Sequence, residues 1–388
     1  METVRLGRTP PPLGELEGAL ERALSTQGLA LTVLTSGSTG RPLEVALSAE
    51  ALRASAATSA QRLGGPGGWL LALPLRHIAG LQVLVRSILA GTSPAVLPAA
   101  EPFTAAAFAS AARTLSATRR YTSLVPTQLH RLLESGGAGA DALLLFDAVL
   151  VGAAPCPPRL LERARAAGIR VVTTYGMTES AGGCVYDGLP LDGTKVEVDA
   201  SGRICLAGPT LAAGYLIDED ALARGELCDA VPGEGGTFFE SRHDVRWLHG
   251  PDLGAVATDG LLSVSGRADD VIVSGGVKVA PAPVEAILLG LPGIREACVV
   301  GIADTSWGQR VVAVVVVEPG AAVPALDDLR ELVTERLGAA QAPRALVVLD
   351  ALPIRGPGKV DRQAAGIAAA ERLAADRAKR TEQHGQQG

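Results

Sequence analysis

Apolar residues recur with helical spacing near the start of the chain and then in short runs. Residues 13–26 carry leucines on one face and acidic residues elsewhere, which predicts a packing helix. The apolar run 29–34 predicts a buried strand, and the alanine-rich stretch 47–63 predicts a second helix. A serine-, threonine- and glycine-rich loop separates that strand from that helix.

From residue 69 onward, short apolar runs alternate with helical stretches. This rhythm is typical of a parallel α/β sheet with helices on its faces. Ligands on such sheets bind where the strands end. The predicted strands are 69–73, 95–97, 121–124, 148–151 and 170–174, and the predicted helices are 78–90, 103–115, 126–134 and 157–167.

The composition and hydrophobic pattern of the sequence change at two further points. Between about 190 and 265, glycines, aspartates and short β-like runs predict a small β-rich subdomain. Strands and helices alternate again beyond 267, which predicts a compact α+β domain. We therefore expect an α/β fold with a large N-terminal domain at 1–266, a small C-terminal domain at 267–371 and a disordered tail at 372–388. In the small domain the predicted strands are 271–273, 296–302, 311–317 and 345–349, and the predicted helices are 281–290 and 326–337.

Composition and charge limit the classes of partner that the chain can bind. The chain has 388 residues, a net charge of -6 and 47% hydrophobic residues, so it offers no broad attraction to nucleic acid. Five widely spaced cysteines without a C-x-x-C pair suit reduced thiols. The first residues carry prolines and acids without a long apolar core, so we do not expect a secretory signal there, and no apolar run is long enough for a membrane span. We expect a cytoplasmic protein without stable membrane insertion. The sequence is compatible with a homo-oligomer but does not decide the oligomeric state.

The loop TSGSTGRP, which follows the strand at 29–34, predicts an anion site. Glycines bring the backbone close to a ligand, so that hydroxyls and N–H groups can surround a phosphate. Leu43 follows the proline, so the loop is not a Walker loop. The alternative is an ordinary Ser/Thr/Gly turn. The phosphate-binding candidates are Thr35, Ser36, Gly37, Ser38, Thr39 and Gly40.

A second polar cluster, YGMTES, follows the predicted strand at 170–174. Tyr175 could stack on a base, and Thr178 could meet a phosphate. Glu179 could hold magnesium, which often binds through one carboxylate plus substrate phosphates. The alternative is a surface loop with a buried tyrosine.

Together the two clusters resemble the adenylate-forming family of acyl-CoA synthetases, and six motifs recur in the family's order. TSGSTGRP resembles its phosphate loop, VGAAP its adenine wall and YGMTES the segment that holds adenine, α-phosphate and magnesium. WLHGPDLG resembles the ribose-binding segment, GRADDVIVSGGVKVAP the hinge, and PIRGPGKVDR the segment with the C-terminal lysine. The resemblance implies ATP, Mg²⁺ and coenzyme A as ligands. The nucleotide-binding residues it implies are Gly152, Ala153, Ala154, Tyr175, Gly176, Met177, Thr178, Asp252 and Arg267.

The resemblance also implies a two-step reaction with a hinge. Lys359 and Thr178 would stabilise charge on the α-phosphate during adenylation, with magnesium held near Glu179. The small domain would then turn about Asp269, so that coenzyme A can attack the acyl-adenylate. Gly275, Gly276 and Trp307 match positions near the pantetheine path; for Trp307 the alternative is a packed core aromatic.

This sequence departs from the family's pattern in three places. Leu43 stands where lysine is usual, and Gly250 stands where a threonine commonly precedes the ribose aspartate by two residues. Only about 34 residues precede the phosphate loop, whereas full-length members carry a large subdomain there. We expect this short front end to affect the scaffold and the usual dimer surfaces.

The stretches LPLRHIAGL and SLVPTQL closely resemble the o-succinylbenzoate ligases of menaquinone biosynthesis. An acid with two carboxylates needs a cation or donors for the one that does not react, and Arg86 is the candidate. The alternative for Arg86 is a snorkelling surface residue. His77 could close over the reacting carboxylate or be a structural histidine. The acid-binding candidates are His77, Arg86, Ser123 and Thr127.

The expected function is therefore ATP-dependent ligation of o-succinylbenzoate to coenzyme A. One alternative is a ligase with the same chemistry that acts on another aryl or acyl acid or that loads a carrier protein. A rival of a different class is a nucleotide-binding or scaffold protein that has lost catalysis, suggested by Leu43, Gly250 and the short front end.

Overall fold

The computed structural model describes residues 3–7, 9–35, 43–97, 103–218, 220–230, 237–355 and 359–385. The helices are α1 Leu13–Leu24, α2 Ala49–Leu63, α3 Ile78–Leu89, α4 Ala105–Thr114, α5 Pro126–Glu134, α6 Ala138–Leu143, α7 Pro158–Ala166, α8 Ala221–Arg224, α9 Pro281–Leu289, α10 Leu326–Leu337 and α11 Arg362–Gly385. The strands before residue 200 are β1 Val4–Leu6, β2 Leu29–Leu34, β3 Glu44–Ser48, β4 Gly68–Leu71, β5 Ala95–Val96, β6 Arg120–Leu124, β7 Ala148–Val151, β8 Val171–Met177, β9 Gly182–Tyr186, β10 Leu189–Pro190 and β11 Lys195–Val198. The later strands are β12 Arg203–Ala207, β13 Gly214–Leu216, β14 Phe238–Arg242, β15 Val245–Val256, β16 Leu262–Arg267, β17 Ile272–Ser274, β18 Val277–Val279, β19 Ile294–Asp304, β20 Gly308–Val317, β21 Ala345–Val348, β22 Ile354–Arg355 and β23 Lys359–Val360.

The chain divides into two compact units. The large unit comprises Met1–Cys156 and Leu160–Val264, and the small unit comprises Ser265–Gly388 together with Pro157–Arg159. The division after Val264 falls close to the boundary expected at 266.

The central sheet of the large unit has seven strands in the order β10-β9-β8-β7-β6-β4-β5. Strands β4 to β8 run parallel, as the alternation of strands and helices predicts, and β9 returns antiparallel to β8. Leu70, Val149 and Val151 pack beneath α4, α5 and α6 in one apolar core. The carboxyl ends of β6, β7 and β8 therefore meet at one edge of the sheet.

The strand before the anion loop lies in a different sheet. Strand β2 pairs parallel with β1 and antiparallel with β3, in the order β1-β2-β3-β13. The prediction of a helix from 47 was wrong at its start, because residues up to Ser48 complete β3. Ser48 then caps α2, and its hydroxyl accepts a hydrogen bond from Ala51 N at 3.1 Å.

Antiparallel strands form the β-rich subdomain predicted for 190–265. The order is β11-β12-β15-β14, with β16 also paired to β15. In this sheet Cys205 of β12 and Phe238 of β14 both lie opposite His249 of β15.

The small unit has the α+β organisation that its sequence predicts. Its sheet has the order β18-β17-β20-β19, with β21 parallel to β20. Valines alternate between two cores: Val311 and Val315 pack towards α9 and α10, and Val312 and Val314 pack on the side of α11.

Arg362 begins α11 and ties that helix to the rest of the small unit. Its guanidinium donates to Glu285 Oε1 at 2.5 Å and to the Val299 carbonyl at 2.6 Å, and lies 3.3 Å from Asp270. The helix continues to Gly385. The structure therefore describes residues 372–385 as helical, where the sequence predicts a disordered tail at 372–388.

Candidate active site

Small residues at the ends of β7 and β8 allow the backbone to pack closely against its neighbours. A Cβ atom at Gly152 would overlap Thr174, and one at Gly176 would overlap the carbonyl of Gly182. Ala153 has a positive φ of 67°, which is unusual for a residue with a side chain. Close approach of neighbouring groups explains why positions 152 and 176 need glycine.

The predicted ribose and adenine residues lie together. The Tyr175 hydroxyl donates a hydrogen bond to Asp252 Oδ2 at 3.1 Å, although the two residues are 77 positions apart in sequence. Gly250 packs tightly beside them, because a Cβ atom there would lie 3.2 Å from the Ile204 carbonyl oxygen and 3.3 Å from Met177 Cε. The departure at Gly250 therefore has a local packing reason.

Glu179 lies in the 3₁₀ turn Thr178–Ser180 directly after β8, and its side chain is buried. The Tyr215 hydroxyl donates to Glu179 Oε1 at 3.2 Å. Burial is the main cause that raises the pKa of Tyr215 above its usual range, and the neighbouring Glu179 carboxylate raises it further. The phenol therefore stays protonated and can donate a hydrogen bond. A carboxylate held this way fits magnesium, which takes carboxylate and phosphate oxygens.

Arg86 projects from α3 into a cavity of about 50 Å³ at the same edge of the sheet. Its side chain is buried at 7% exposure, which rules out the snorkelling alternative. One guanidinium nitrogen donates to Ser59 Oγ at 3.1 Å and to the Tyr186 hydroxyl at 3.3 Å. The guanidinium lies 4.9 Å from the centre of the Trp69 ring. The cavity lining includes Gln82, Arg86, Ser123, Gly152, Ala153 and Tyr186.

The Arg86 guanidinium is incompletely paired. Its Nε atom is buried without a hydrogen-bond partner in the described part of the chain, and so is Gln82 Oε1 on the same wall. Within those described residues, its partners are the neutral hydroxyls of Ser59 and Tyr186 and the Trp69 ring. A buried cation without a negative partner is costly, and so this cavity suits an anionic ligand.

The base of the predicted phosphate loop is a hydrogen-bonded pair. Thr35 N donates to the Leu43 carbonyl at 2.8 Å, and Leu43 N donates to Thr35 Oγ1 at 3.0 Å. Leu43 thus closes the hairpin formed by β2 and β3. The candidates Ser36, Gly37, Ser38, Thr39 and Gly40 lie outside the described residues.

The three coenzyme A candidates of the small unit lie side by side. Gly275 N donates to the Trp307 carbonyl at 2.9 Å, and a Cβ at Gly275 would lie 2.7 Å from the indole ring. Gly275 and Gly276 both have positive φ. Trp307 is 39% exposed and stacks on Arg344 at 3.4 Å, so it is not a core aromatic.

The other predicted residues of the small unit are placed as follows. Arg267 donates two parallel hydrogen bonds to Asp269, at 2.9 and 3.0 Å, which joins the predicted ribose-binding arginine to the predicted pivot. Lys359 begins β23, which pairs with β22.

Comparison with known proteins assigns the family. Residues 9–216 match the model described as AMP-binding enzyme, and residues 283–359 match the model described as AMP-binding enzyme C-terminal domain. A probable 2-succinylbenzoate–CoA ligase of Mycobacterium tuberculosis is 48% identical over 340 residues, which cover 87% of this chain and 83% of that protein. The chain belongs to the family of adenylate-forming AMP-binding enzymes.

Two solved structures show the same fold. An o-succinylbenzoate CoA synthetase from Bacillus subtilis, in complex with its acyl-adenylate intermediate, is 30% identical with a TM-score of 0.68, and the match covers 87% of this chain and 68% of that one. An amide bond synthetase from Marinactinospora thermotolerans is 26% identical with a TM-score of 0.73, covering 88% of this chain and 68% of that one. The expected α/β fold with a small C-terminal domain is confirmed. No described helix of this AMP-binding enzyme combines the length and apolarity that crossing a membrane requires.

Two predicted acid-binding residues lie outside the Arg86 cavity. Its lining, within the described part of the AMP-binding enzyme, includes Arg86 and Ser123 but not His77 or Thr127. His77 precedes α3, is half-buried, and its Nε2 accepts a hydrogen bond from Arg76 Nε at 3.2 Å. Thr127 lies in the first turn of α5 and is also half-buried.

Sequence reasoning missed several residues that surround Arg86. Gln82 could have been found, because it precedes Arg86 by four positions and so lies on the same face of α3. Ser59, Trp69 and Tyr186 carry no comparable signal, since each comes from a different element. Tyr215, which bonds Glu179, was missed for the same reason.

Proposed function

We propose that this protein is a 2-succinylbenzoate–CoA ligase, the activity named for its relatives, and that it serves menaquinone biosynthesis. A carboxylate oxygen of the acid attacks the α-phosphorus of ATP, the bond to pyrophosphate breaks, and an acyl-adenylate forms. The sulfur of coenzyme A then attacks the acyl carbon, losing its proton to solvent. The carbon–oxygen bond to AMP breaks and the thioester is released.

The observation that carries the choice of acid is the buried, incompletely paired Arg86. A monocarboxylic acid spends its one carboxylate on the reaction, whereas 2-succinylbenzoate keeps a second carboxylate. An arginine fork is suited to bind such a carboxylate through charge-assisted hydrogen bonds. Ser123 and Gln82 on the same wall supply further polar contacts. The cavity also contains Gly152 and Ala153, so acid and nucleotide would meet there.

The geometry of the large unit supports the nucleotide roles that we propose. Tyr175 would stack on adenine while its hydroxyl orients Asp252 towards the ribose hydroxyls. Thr178 would donate to the α-phosphate. Glu179 would hold magnesium, which when bound neutralises phosphate charge. The loop from Thr35 to Gly40 would surround the phosphates of ATP.

Residues of the small unit complete the proposal. Lys359 would stabilise negative charge on the phosphoryl oxygens during adenylation. Asp269 would serve as the pivot, and its ion pair with Arg267 would exchange for a contact between Arg267 and ribose. Gly275, Gly276 and Trp307 would line the path of the coenzyme A thiol. We propose the cytoplasm as the compartment, because the five cysteines are all free thiols.

Pyrophosphate exchange over a panel of acids tests the substrate. We expect exchange into ATP with 2-succinylbenzoate, and weak exchange with its monocarboxylic analogues, benzoate and a fatty acid. Thioester formation with coenzyme A is measured in parallel, which separates this function from carrier loading or amide synthesis. Strong exchange with benzoate and none with 2-succinylbenzoate would reject the assignment.

A Lys359→Ala variant tests whether the chain is catalytic by the proposed route. We expect a large loss of adenylate formation, while thioester formation from the preformed acyl-adenylate and coenzyme A is retained. A protein that has lost catalysis would show no exchange with any acid in either form. Unchanged adenylation in the variant would contradict the role of Lys359.

A further inference from the structure

Three metal-ligating side chains converge in the β-rich subdomain of the large unit. Cys205 Sγ lies 3.3 Å from His249 Nδ1, and Asp199 Oδ2 lies 3.8 Å from the same nitrogen. The three donor atoms all lie within 4.8 Å of one another. In a tetrahedral zinc site with bond lengths of about 2.0–2.3 Å, donor atoms are separated by roughly 3.3–3.6 Å. The separations of 3.3 and 3.8 Å from His249 Nδ1 are close to that range.

The backbone brings these residues together from neighbouring strands. Cys205 of β12 lies directly opposite His249 of β15 in the antiparallel register. Asp199 follows β11 in the turn to β12, where its Oδ1 accepts from Ser201 N at 2.8 Å and from Arg203 N at 3.0 Å. Those bonds hold the carboxylate so that Oδ2 is the oxygen nearer His249.

The histidine ring is held in a matching orientation. His249 Nε2 lies 3.0 Å from Glu240 Oε2, and the Phe238 ring stacks on the imidazole with centroids 4.4 Å apart. A carboxylate on Nε2 favours the tautomer with its proton there, which directs the Nδ1 lone pair towards Cys205 and Asp199. Metal-bound histidines commonly have such a carboxylate on the distal nitrogen.

The surrounding charge favours a cation. Asp199, Glu240 and Glu197 supply three carboxylates. Of the nearby arginines, Arg242 pairs with Glu197 at 3.3 Å and Glu240 at 3.6 Å, and the guanidinium of Arg203 donates to the Gly250 carbonyl at 3.4 Å. The mixed sulfur, nitrogen and oxygen donor set suits borderline ions such as Zn²⁺ better than Mg²⁺, which prefers oxygen alone.

We propose that Asp199, Cys205 and His249 form a binding site for one Zn²⁺-class transition-metal ion, separate from the magnesium proposed at Glu179, with water as a fourth ligand. His249 lies on β15 three residues before Asp252, so the ion would tie β11, β12 and β15 together beside the ribose-binding segment. It would cross-link the subdomain and has no part in the adenylation chemistry.

Without a metal, the same residues form a simpler arrangement. The protonated Cys205 thiol then donates a hydrogen bond to His249 Nδ1 at 3.3 Å. Metal binding displaces that proton and turns the thiol into a thiolate ligand. The two states differ in a spectroscopic signature that only thiolate ligation produces.

Cobalt titration of the 388-residue chain distinguishes the metal-bound state from the metal-free state. We expect Co²⁺ to produce a thiolate-to-cobalt charge-transfer band in the near ultraviolet that saturates at one ion per chain and is abolished by excess Zn²⁺ but not by Mg²⁺. The band should be lost in Cys205→Ser and kept in the matched control Cys228→Ser, whose cysteine bonds the Tyr215 carbonyl instead. Glu240→Gln should weaken binding by about 10- to 100-fold, as loss of a carboxylate behind a ligating histidine does.

The outcomes are decisive because the readout is binding and not catalysis. A titration without the charge-transfer band, in protein that circular dichroism shows to be folded, would mean a thiol–imidazole hydrogen bond only and would overturn the proposal. So would a band that persists in Cys205→Ser. If Cys205→Ser does not fold, His249→Gln provides the second test, and a band of unchanged intensity there would equally overturn it. None of these results depends on which acid is activated.

Discussion

Two arginines of this protein have opposite surroundings. Arg86, in the large unit, is bonded to the neutral hydroxyls of Ser59 and Tyr186. Arg362, in the small unit, contacts the carboxylates of Glu285 and Asp270. The guanidinium of Arg362 has its negative partners within the fold, whereas that of Arg86 has none among the described residues.

The difference separates a binding role from a structural one. A charged group taken from water is stabilised only when its partners are restored, and breaking such a pair is strongly destabilising. The contacts of Arg362 meet that condition without any ligand. The guanidinium of Arg86 gains a negative partner only when an anion is bound. We therefore expect substitution of Arg86 to affect substrate binding, and substitution of Arg362 to affect folding.

The largest effect should come from Arg362→Met. Glu285 is 9% exposed, and its carboxylate would lose its cationic partner. We expect the small unit to lose about 3 kcal/mol of stability, measured by hydrogen exchange of amides in β19 and β20. The double variant Glu285→Gln with Arg362→Met should recover part of that loss. Equal protection in the wild type and the single variant would mean that Arg362 is not structural.

The next effect concerns Arg86→Met. We expect kcat/KM for 2-succinylbenzoate to fall about 100-fold, because about 2.7 kcal/mol of charged hydrogen bonding to the second carboxylate is lost. The melting temperature should stay the same or rise, since an incompletely paired cation is removed from the interior. Pyrophosphate exchange with a monocarboxylic analogue is the control and should not fall. A lowered melting temperature with unchanged kcat/KM would reverse the assignment of roles.

Arg86→Lys should have an intermediate effect. Lysine keeps the charge but lacks the planar fork that can bind a carboxylate through two bonds. We expect roughly a tenfold loss in kcat/KM for 2-succinylbenzoate, mostly in KM, one decade corresponding to about 1.4 kcal/mol. A loss as large as that of Arg86→Met would show that geometry, and not charge, dominates recognition.

The smallest effect should come from Ser59→Ala, which removes a hydroxyl that holds Arg86. We expect about 1 kcal/mol, or roughly fivefold in kcat/KM, as for one neutral hydrogen bond. Ser55→Ala is the matched control, because Ser55 lies one turn earlier on α2 and bonds the Ala181 carbonyl instead. If both variants lose the same activity, Ser59 acts through packing of α2 and not through Arg86.

The sequence by itself determined many elements of the fold to within a few residues, although it missed α6 and α11. The predicted strand 148–151 and helix 126–134 coincide with β7 and α5, and the prediction for 326–337 coincides with α10. Periodic burial of apolar residues is a local property, and so local pattern is sufficient to predict it. Ordered motifs were likewise enough to identify the family, which the comparisons confirm.

Only the tertiary structure decided what surrounds each functional side chain. The sequence left Arg86 open between a substrate-binding residue and a snorkelling one, and its burial beside Trp69, Ser59 and Tyr186 excludes the second. It also gave no sign that Cys205 faces His249, since 44 residues separate them. Burial and partnership of polar groups depend on contacts between distant parts of the chain, and local periodicity carries no information about those contacts.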